Sequence, residues 1–323
     1  MKSLPLFTLL SLLAILAMLV ALMAGSVAIS PAELAAILAG EGDGIGREIV
    51  LQLRLPRALA AFAVGGLLAL AGVQMQVLLG NPLADPYVLG ISGGAAVGAL
   101  LALLAGAATL IVNGAALAGA LGSMLLVFGL AHGSGAWSPS RLLLTGVVIA
   151  SGWGALISFL LAVAPQHNLP GMLFWLMGDL SHADQATPAL LILLLGLLIT
   201  QPQARNLNLL ARGELQASVL GVTVTPLRLQ LYLIASLLTA TAVTIGGSIG
   251  FVGLVVPHML RLLIGSDHRR LIPASLLFGG TLLLLADTLA RSLIAPQQLP
   301  VGVLTALVGV PLFLYLLQRG YRQ

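Results

Sequence analysis

Few side chains in this sequence are of types that do chemistry. Gly90-Ile91-Ser92-Gly93-Gly94 has the G-x-S-x-G spacing of a nucleophile elbow, which would present Ser92 for acyl transfer. Such a serine needs a histidine beside it, and His258 is the one histidine inside an apolar run. The plainer reading is a glycine-rich turn opening a closely packed helix, with His258 hydrogen-bonded in a packed interior rather than serving as a ligand. Asp287 and Arg291 are spaced i,i+4 and share a helix face. An intramembrane carboxylate is a candidate proton or sodium site, and Arg291 is at hand to neutralise it. Cysteine is absent, which excludes disulfides and thiolate metal sites. The only lysine is Lys2, so the G-x-x-x-x-G-K-[ST] phosphate loop is missing and ATP is not bound here in that way.

These residues sit in a chain that is 59% hydrophobic and 7% charged over 323 residues. Such a composition is that of an integral membrane protein, and lipid forces its backbone into helices. A crossing takes about 20 apolar residues. The candidate spans are 4–24, 58–79, 92–108, 110–131, 142–163, 188–200, 229–244, 250–264, 272–291 and 301–317, with 188–200 borrowing neighbours to cross. The apolar run of the first exceeds a signal-peptide core, so it reads as an uncleaved span. No soluble domain of any size remains, and 1–323 reads as one domain. A net charge of +4 is not a nucleic-acid footprint; its distribution orients the helices. With the amino terminus in the cytoplasm, alternation puts Lys2, Arg141, Arg205, Arg212, Arg228, Arg269, Arg270, Arg319 and Arg322 inside. Only Arg47, Arg54, Arg57 and Arg291 fall outside, which satisfies the positive-inside rule.

The densest polar stretch, 201–228, gathers Arg205, Arg212, Arg228, Glu214, two asparagines and three glutamines between two long apolar segments. ARGELQASVLG reads as a short amphipathic helix with Leu209, Leu210 and Leu215 near one face and a stop at Gly221. It is either a solvated connector or a docking surface for a soluble partner. On the opposite side, 30–52 reads as an external loop that meets RLPR at 54–57. There Pro56 suits a first helical turn, and Arg54 and Arg57 flank the outer mouth of a span, as headgroup anchors or as a basic contact.

Asn81-Pro82 and Asp85-Pro86 break helix before Gly93-Gly94 permits close approach. The segment 138–159 mixes Ser140, Thr145, Gly146, Ser151, Gly152 and Ser158 through one helix, which suits packing or a polar pathway. An external loop at 165–187 carries an amphipathic portion with Trp175 at the interface. Gly246, Gly247, Gly250 and Gly253 predict an irregular, closely packed start to the next helix, and Asp267 is placed to cap the one after it.

Taken together, RLPR (54–57), GNPLADP (80–86), GISGGAAVG (90–98), SRLLLTGV (140–147), GELQASVLG (213–221), the run 247–275, LADTLAR (285–291) and LPVGVLTALVGVPLFLYLL (299–317) resemble the FecCD-type permeases. These are membrane subunits of type II ABC importers for cobalamin, haem and ferric siderophores. The resemblance is collinear over essentially the whole chain. It implies an all-α subunit of about ten transmembrane helices with a cobalamin-permease-like fold, non-catalytic itself. In that family the subunit is used as a homodimer or close heterodimer in a bacterial inner membrane, with both termini cytoplasmic. Two cytoplasmic ATPase subunits would bind ATP and magnesium, a periplasmic binding protein would deliver a metal chelate, and this chain would hold no cofactor.

The same resemblance assigns 205–222 as the coupling helices, with Arg212, Gly213, Glu214, Gln216, Ala217, Leu220 and Gly221 at the ATPase. Arg54, Arg57 and Arg291 become contacts for the binding protein. Helix 142–163 becomes a pathway wall, with Pro139, Ser140, Thr145 and Ser151 at the gate and along the path, and the loop before it an inner gate. Pro139-Ser140 stands where the cobalamin permease has two hydroxyl residues. The residues themselves also admit an ion-coupled secondary transporter built on Asp287 and, as a third reading, an intramembrane protease built on Ser92.

Overall fold

Lipid offers no hydrogen-bond partners to a backbone that crosses it, and the chain answers with helices; no strand occurs among the described residues. The computed structural model describes residues 3–41, 44–131, 138–181, 186–295 and 297–320. In order, the elements are α1 (Ser3–Met23), α2 (Pro31–Leu38), α3 (Ile45–Glu48), a π-helical segment (Ile49–Arg54), α4 (Leu55–Leu78), a 3₁₀ turn (Pro86–Leu89), α5 (Ile91–Leu104), α6 (Thr109–Ala131), α7 (Pro139–Val163), α8 (Leu169–Met177) and α9 (Ala186–Thr200). A second 3₁₀ turn (Gln201–Gln203) leads into α10 (Ala204–Leu210), α11 (Glu214–Val219), α12 (Val224–Gly246), α13 (Val252–Ile264), α14 (His268–Ser292) and α15 (Val301–Gly320).

Seven helical runs are long and apolar enough to cross a membrane, and α5, α13 and α15 are shorter apolar helices that complete roughly ten. The run 186–210 is continuous in helix through the 3₁₀ turn, so the short span expected at 188–200 does extend into its neighbours. The expected external loop at 30–52 is largely helical instead. Ser30 caps α2 by accepting the Glu33 N–H, and the chain then coils without a break from α3 through the π segment into α4. Within that coil the Leu55 N–H reaches back five residues to Val50 O. This wider turn makes room for the ring of Pro56, which has no N–H and crowds a regular α turn.

At about 1.5 Å per residue, α5 and α13 measure only about 20 Å each, short of the roughly 30 Å hydrocarbon core. A 3₁₀ turn before α5 and irregular chain before α13 add to their length, which a membrane tolerates where protein surrounds it. The segment before α5 is pinned by Asp85, which accepts the Tyr87 N–H at 2.7 Å. The segment before α13 crosses close by, and Ile249 N–H donates to the Tyr87 hydroxyl at 3.2 Å. Phe251, at φ 69, is the one described non-glycine residue with positive φ, and it closes this second segment against Gly309.

Helix α4 lies at the centre, packed by α14, α12, α9 and α13. Glycine sets how near they come. A Cβ at Gly72 would stand 1.9 Å from Gly253 O, and one at Gly65 would stand 2.2 Å from Gly279 O. Gly94 and Gly98, one turn apart on α5, meet Gly119 and Ala115 of α6 in the same way. Gly72→Ala is therefore expected to cost about 1–3 kcal/mol through forced separation of α4 and α13. Gly152→Ala on α7, where a Cβ meets nothing within 4 Å, is expected to leave the thermal midpoint of the detergent-solubilised chain unchanged or higher. Equal midpoints for the two variants would refute the close α4–α13 crossing.

Candidate functional site

Three arginines expected at one mouth are brought together at one end of the bundle, but not as free charge. Arg54 turns inward and is 5% exposed. Its guanidinium donates to Leu22 O at 2.7 Å, to Met23 O at 2.9 Å and to Val27 O. It thus binds the last two carbonyls of α1 and one in the turn beyond it, and complements the negative end of that helix's dipole. Arg57 grips Asp287 with two parallel bonds, Nε to Oδ2 at 3.0 Å and Nη2 to Oδ1 at 2.8 Å, and donates Nη1 to Gln298 Oε1 at 2.7 Å. Arg291 donates to Ala21 O, and its Nε lies 4.0 Å from Asp287 Oδ2. The main partner of Asp287 is therefore Arg57 on α4, not its helical neighbour Arg291. With the carboxylate 2% exposed and spent on a bidentate arginine, this geometry disfavours a proton or sodium site.

At the opposite end the expected amphipathic helix is two helices. Gly213, at φ 120, breaks the chain between α10 and α11. Leu210 is buried while Leu215 is 79% exposed, so the two do not share a buried face as the sequence reading had it. Gly221, at φ 83, follows the end of α11, as expected for a stop. Only Ala217 of α11 is buried. Leu215, Val219 and Leu220 are 79%, 79% and 62% exposed, beside exposed Arg212 and Gln216. Glu214 pairs with Arg228 of α12 at 2.9 Å, so it ties α11 down rather than standing free.

Helix α7 is the least covered of the long helices. Ser138 caps it by accepting the Arg141 N–H, and Pro139 occupies its first turn. Ser140 and Ser151 are exposed and three turns apart on one face, whereas Thr145 is half-buried and off that face. Ser151 and Ser158 donate to the carbonyls of Val147 and Gly154, and at Gly152 and Gly154 a side chain would meet nothing. The exposed surfaces of α1 and α9 are leucine-rich, as lipid demands, whereas on α7 exposed Ser140, Ser151, Gly152 and Gly154 stand among exposed Leu144, Val147, Val148, Phe159 and Val163. The loop expected to gate it falls at 132–137, outside the described residues.

Ser92 lies in the first turn of α5, behind Gly90 at φ 72. Nothing strand-like precedes it, so the elbow geometry is not present. His258 finds no hydrogen-bond partner among the described residues; its ring rests edge-on against Phe313, centroids 6.0 Å apart. This corrects the expectation of a hydrogen-bonded interior histidine. Sequence reasoning also missed the pairing of Gln74 Nε2 with Thr200 Oγ1 at 2.9 Å between α4 and α9. Two polar residues in otherwise apolar spans were the available signal.

Comparison with known proteins agrees with this architecture. The hemin transport system permease protein of Yersinia pestis is 43% identical over 85% of this chain and 84% of its own length. The cobalamin import system permease protein of Halobacterium salinarum is 43% identical over 84% of this chain and 73% of its own. Among solved structures, an inward-facing conformation described as a putative metal-chelate type ABC transporter superposes with a TM-score of 0.86 at 32% identity. That match covers 98% of this chain and 99% of that one. These matches fit a bundle with no phosphate loop of its own, a membrane permease subunit whose ATP is hydrolysed by a separate ATPase. With residues 12–319 matching it, the chain belongs to the FecCD transport family.

Proposed function

We propose that this chain is one half of a homodimeric, or closely heterodimeric, permease that carries a metal chelate from periplasm to cytoplasm across a bacterial inner membrane. In this reading both termini and α11 are cytoplasmic, two ATPase subunits dock on α10–α11, and a periplasmic binding protein docks near Arg57 and Arg291. The observation that carries it is the exposed Leu215–Val219–Leu220 surface on a helix fastened to α12 by the Glu214–Arg228 pair. An apolar patch of this kind beyond the end of the membrane helices is unfavourable in water and fits a partner's cleft. The relatives named for cobalamin and hemin support a chelate as cargo.

The exposed face of α7, where Ser140 and Ser151 stand among Leu144, Val147 and Val148, is the wall each copy would turn toward a shared pathway. Pro139 and Thr145 flank it. At the other end Arg54 serves α1, which leaves Arg57 and Arg291 as the docking charges. Any carboxylate from the binding protein then competes with Asp287 for Arg57.

The test is uptake into proteoliposomes holding the purified chain, with labelled cobalamin, haem and a ferric siderophore offered in turn through a cognate binding protein. Uptake of one chelate that requires ATP and an added ATPase subunit is expected. Uptake driven by a proton or sodium gradient without ATP would overturn the reading and restore the secondary-transporter alternative.

A further inference from the structure

Helix α7 rests on a surface made smooth by glycine. One stripe of the helix, formed by Gly146, Ile149, Ala150, Trp153, Ile157 and Leu160, spans about 100° of its circumference. The lower part of this stripe meets the turn that opens α5. A Cβ at Gly146 would stand 2.5 Å from Val88 O, one at Gly90 would stand 3.3 Å from Ala150 N, and one at Gly93 would stand 2.7 Å from Trp153 Cβ. Further along, Ile157 and Leu160 pack with Ala96, Val97 and Leu100 of α5. Interlocking side-chain ridges are what normally fix the rotation of one helix against another, and glycine contributes no ridge. The lower seat brings α7 close without saying which way it must face.

One directional contact supplies that information. Trp153 donates its Nε1–H to Ser123 Oγ of α6 at 2.9 Å, and Ser123 donates its own proton to Gly90 O at 2.9 Å. An indole N–H only donates and a hydroxyl has one proton, so the chain runs from Trp153 through Ser123 to Gly90 and not the other way. Ser123 is 0% exposed, and away from water such linked bonds strengthen one another. Among the described residues, no other side chain of α7 hydrogen-bonds to another element, and no ion pair reaches the helix. Ser151 and Ser158 bond only within their own helix.

Trp153 lies two residues beyond Ser151, about 200° round the helix. The exposed face that carries Ser140, Leu144, Val147, Ser151 and Ser158 is therefore the back of the stripe that Trp153 fastens. We infer that Trp153 is a positioning residue, whose bridge to Ser123 sets the rotation of α7 and so decides which face of that helix borders the transport pathway. This rests on the reading of α7 as a pathway wall. A tryptophan that only fills space would be replaced without consequence by phenylalanine, which keeps an aromatic ring and lacks the N–H. That change orphans no buried group, because Ser123 still donates to Gly90 O.

The chain contains no cysteine, so single cysteines report on their own positions. Ser151→Cys and Ser158→Cys mark the exposed face, and Leu156→Cys lies about 140° round from Ser151. Each is placed in the full-length chain, reconstituted in proteoliposomes with the ATPase subunit and the binding protein, and labelled with a water-soluble maleimide. In the parent background the two serine positions are expected to label faster than position 156. Trp153→Phe is expected to lower that rate ratio about fivefold, the population shift that one neutral hydrogen bond commands, in a chain that still melts cooperatively near the parent temperature. Ser123→Ala should lower the ratio as far, and the two changes together no further, since both remove the same bridge. An unchanged ratio in Trp153→Phe and Ser123→Ala overturns the inference and leaves the pathway reading standing. Equal labelling at all three positions in the parent overturns the pathway reading of α7, and the inference with it.

Discussion

Replacing Asp287 with leucine is expected to lower the stability of the folded bundle by about 3–5 kcal/mol, the range found when one partner of a buried ion pair is removed. Asp287 is 2% exposed and compensates two arginines whose side chains are only 14% and 10% exposed. Without it, Arg57 and Arg291 are left facing each other with no counter-charge. Arg57→Met should cost less, because Asp287 keeps Arg291 at 4.0 Å. The double change Arg57→Met with Asp287→Leu should recover part of the loss, since only Arg291 remains and it retains Ala21 O. Thermal melts of the solubilised chain, in a double-mutant cycle, read these differences. If Asp287→Leu stays within about 0.5 kcal/mol of the parent, as a surface change would, the ion network does not hold this end of the bundle.

Leu215→Glu combined with Val219→Glu is expected to abolish capture of the ATPase subunit and, with it, ATP-driven uptake. Both side chains are 79% exposed, so the chain should melt at the parent temperature. If each is a binding hot spot worth about 2 kcal/mol, the pair costs about a thousandfold in affinity. Glu214→Arg is the less clean variant. It also breaks the 2.9 Å pair with Arg228, so a loss of capture there mixes detachment of α11 with a changed contact surface. Parent-like pull-down by the Leu215, Val219 double variant would place the ATPase elsewhere on this chain.

The sequence by itself determined what is local. Apolar run length set the all-helical membrane class, because an unpaired backbone group in lipid has nowhere to go. Prolines and glycines marked the breaks at 80–90 and 246–251, because a missing N–H or a missing Cβ acts on its own turn. The caps at Ser138 and Asp267 and the stop at Gly221 are decided within three residues of themselves. Motifs along the whole chain were also enough to place it in its family.

What only the tertiary structure decided is everything that depends on which distant faces meet. Spacing on one helix offered Arg291 to Asp287, yet Arg57, 230 residues earlier in the chain, has the better geometry. Arg54 and Arg57 look equivalent in RLPR. Three residues rotate the helix by about 300°, which sends one to the carbonyls of α1 and the other to α14. Leu215 was grouped with Leu210 on the premise of one continuous helix, and the reversal at Gly213 put it on the open side. The matched contacts of Gly72 with Gly253, and the bridge from Trp153 to Ser123, lie between segments whose separation along the chain carries no distance information. Packing, which acts on faces and not on spacing, fixed them.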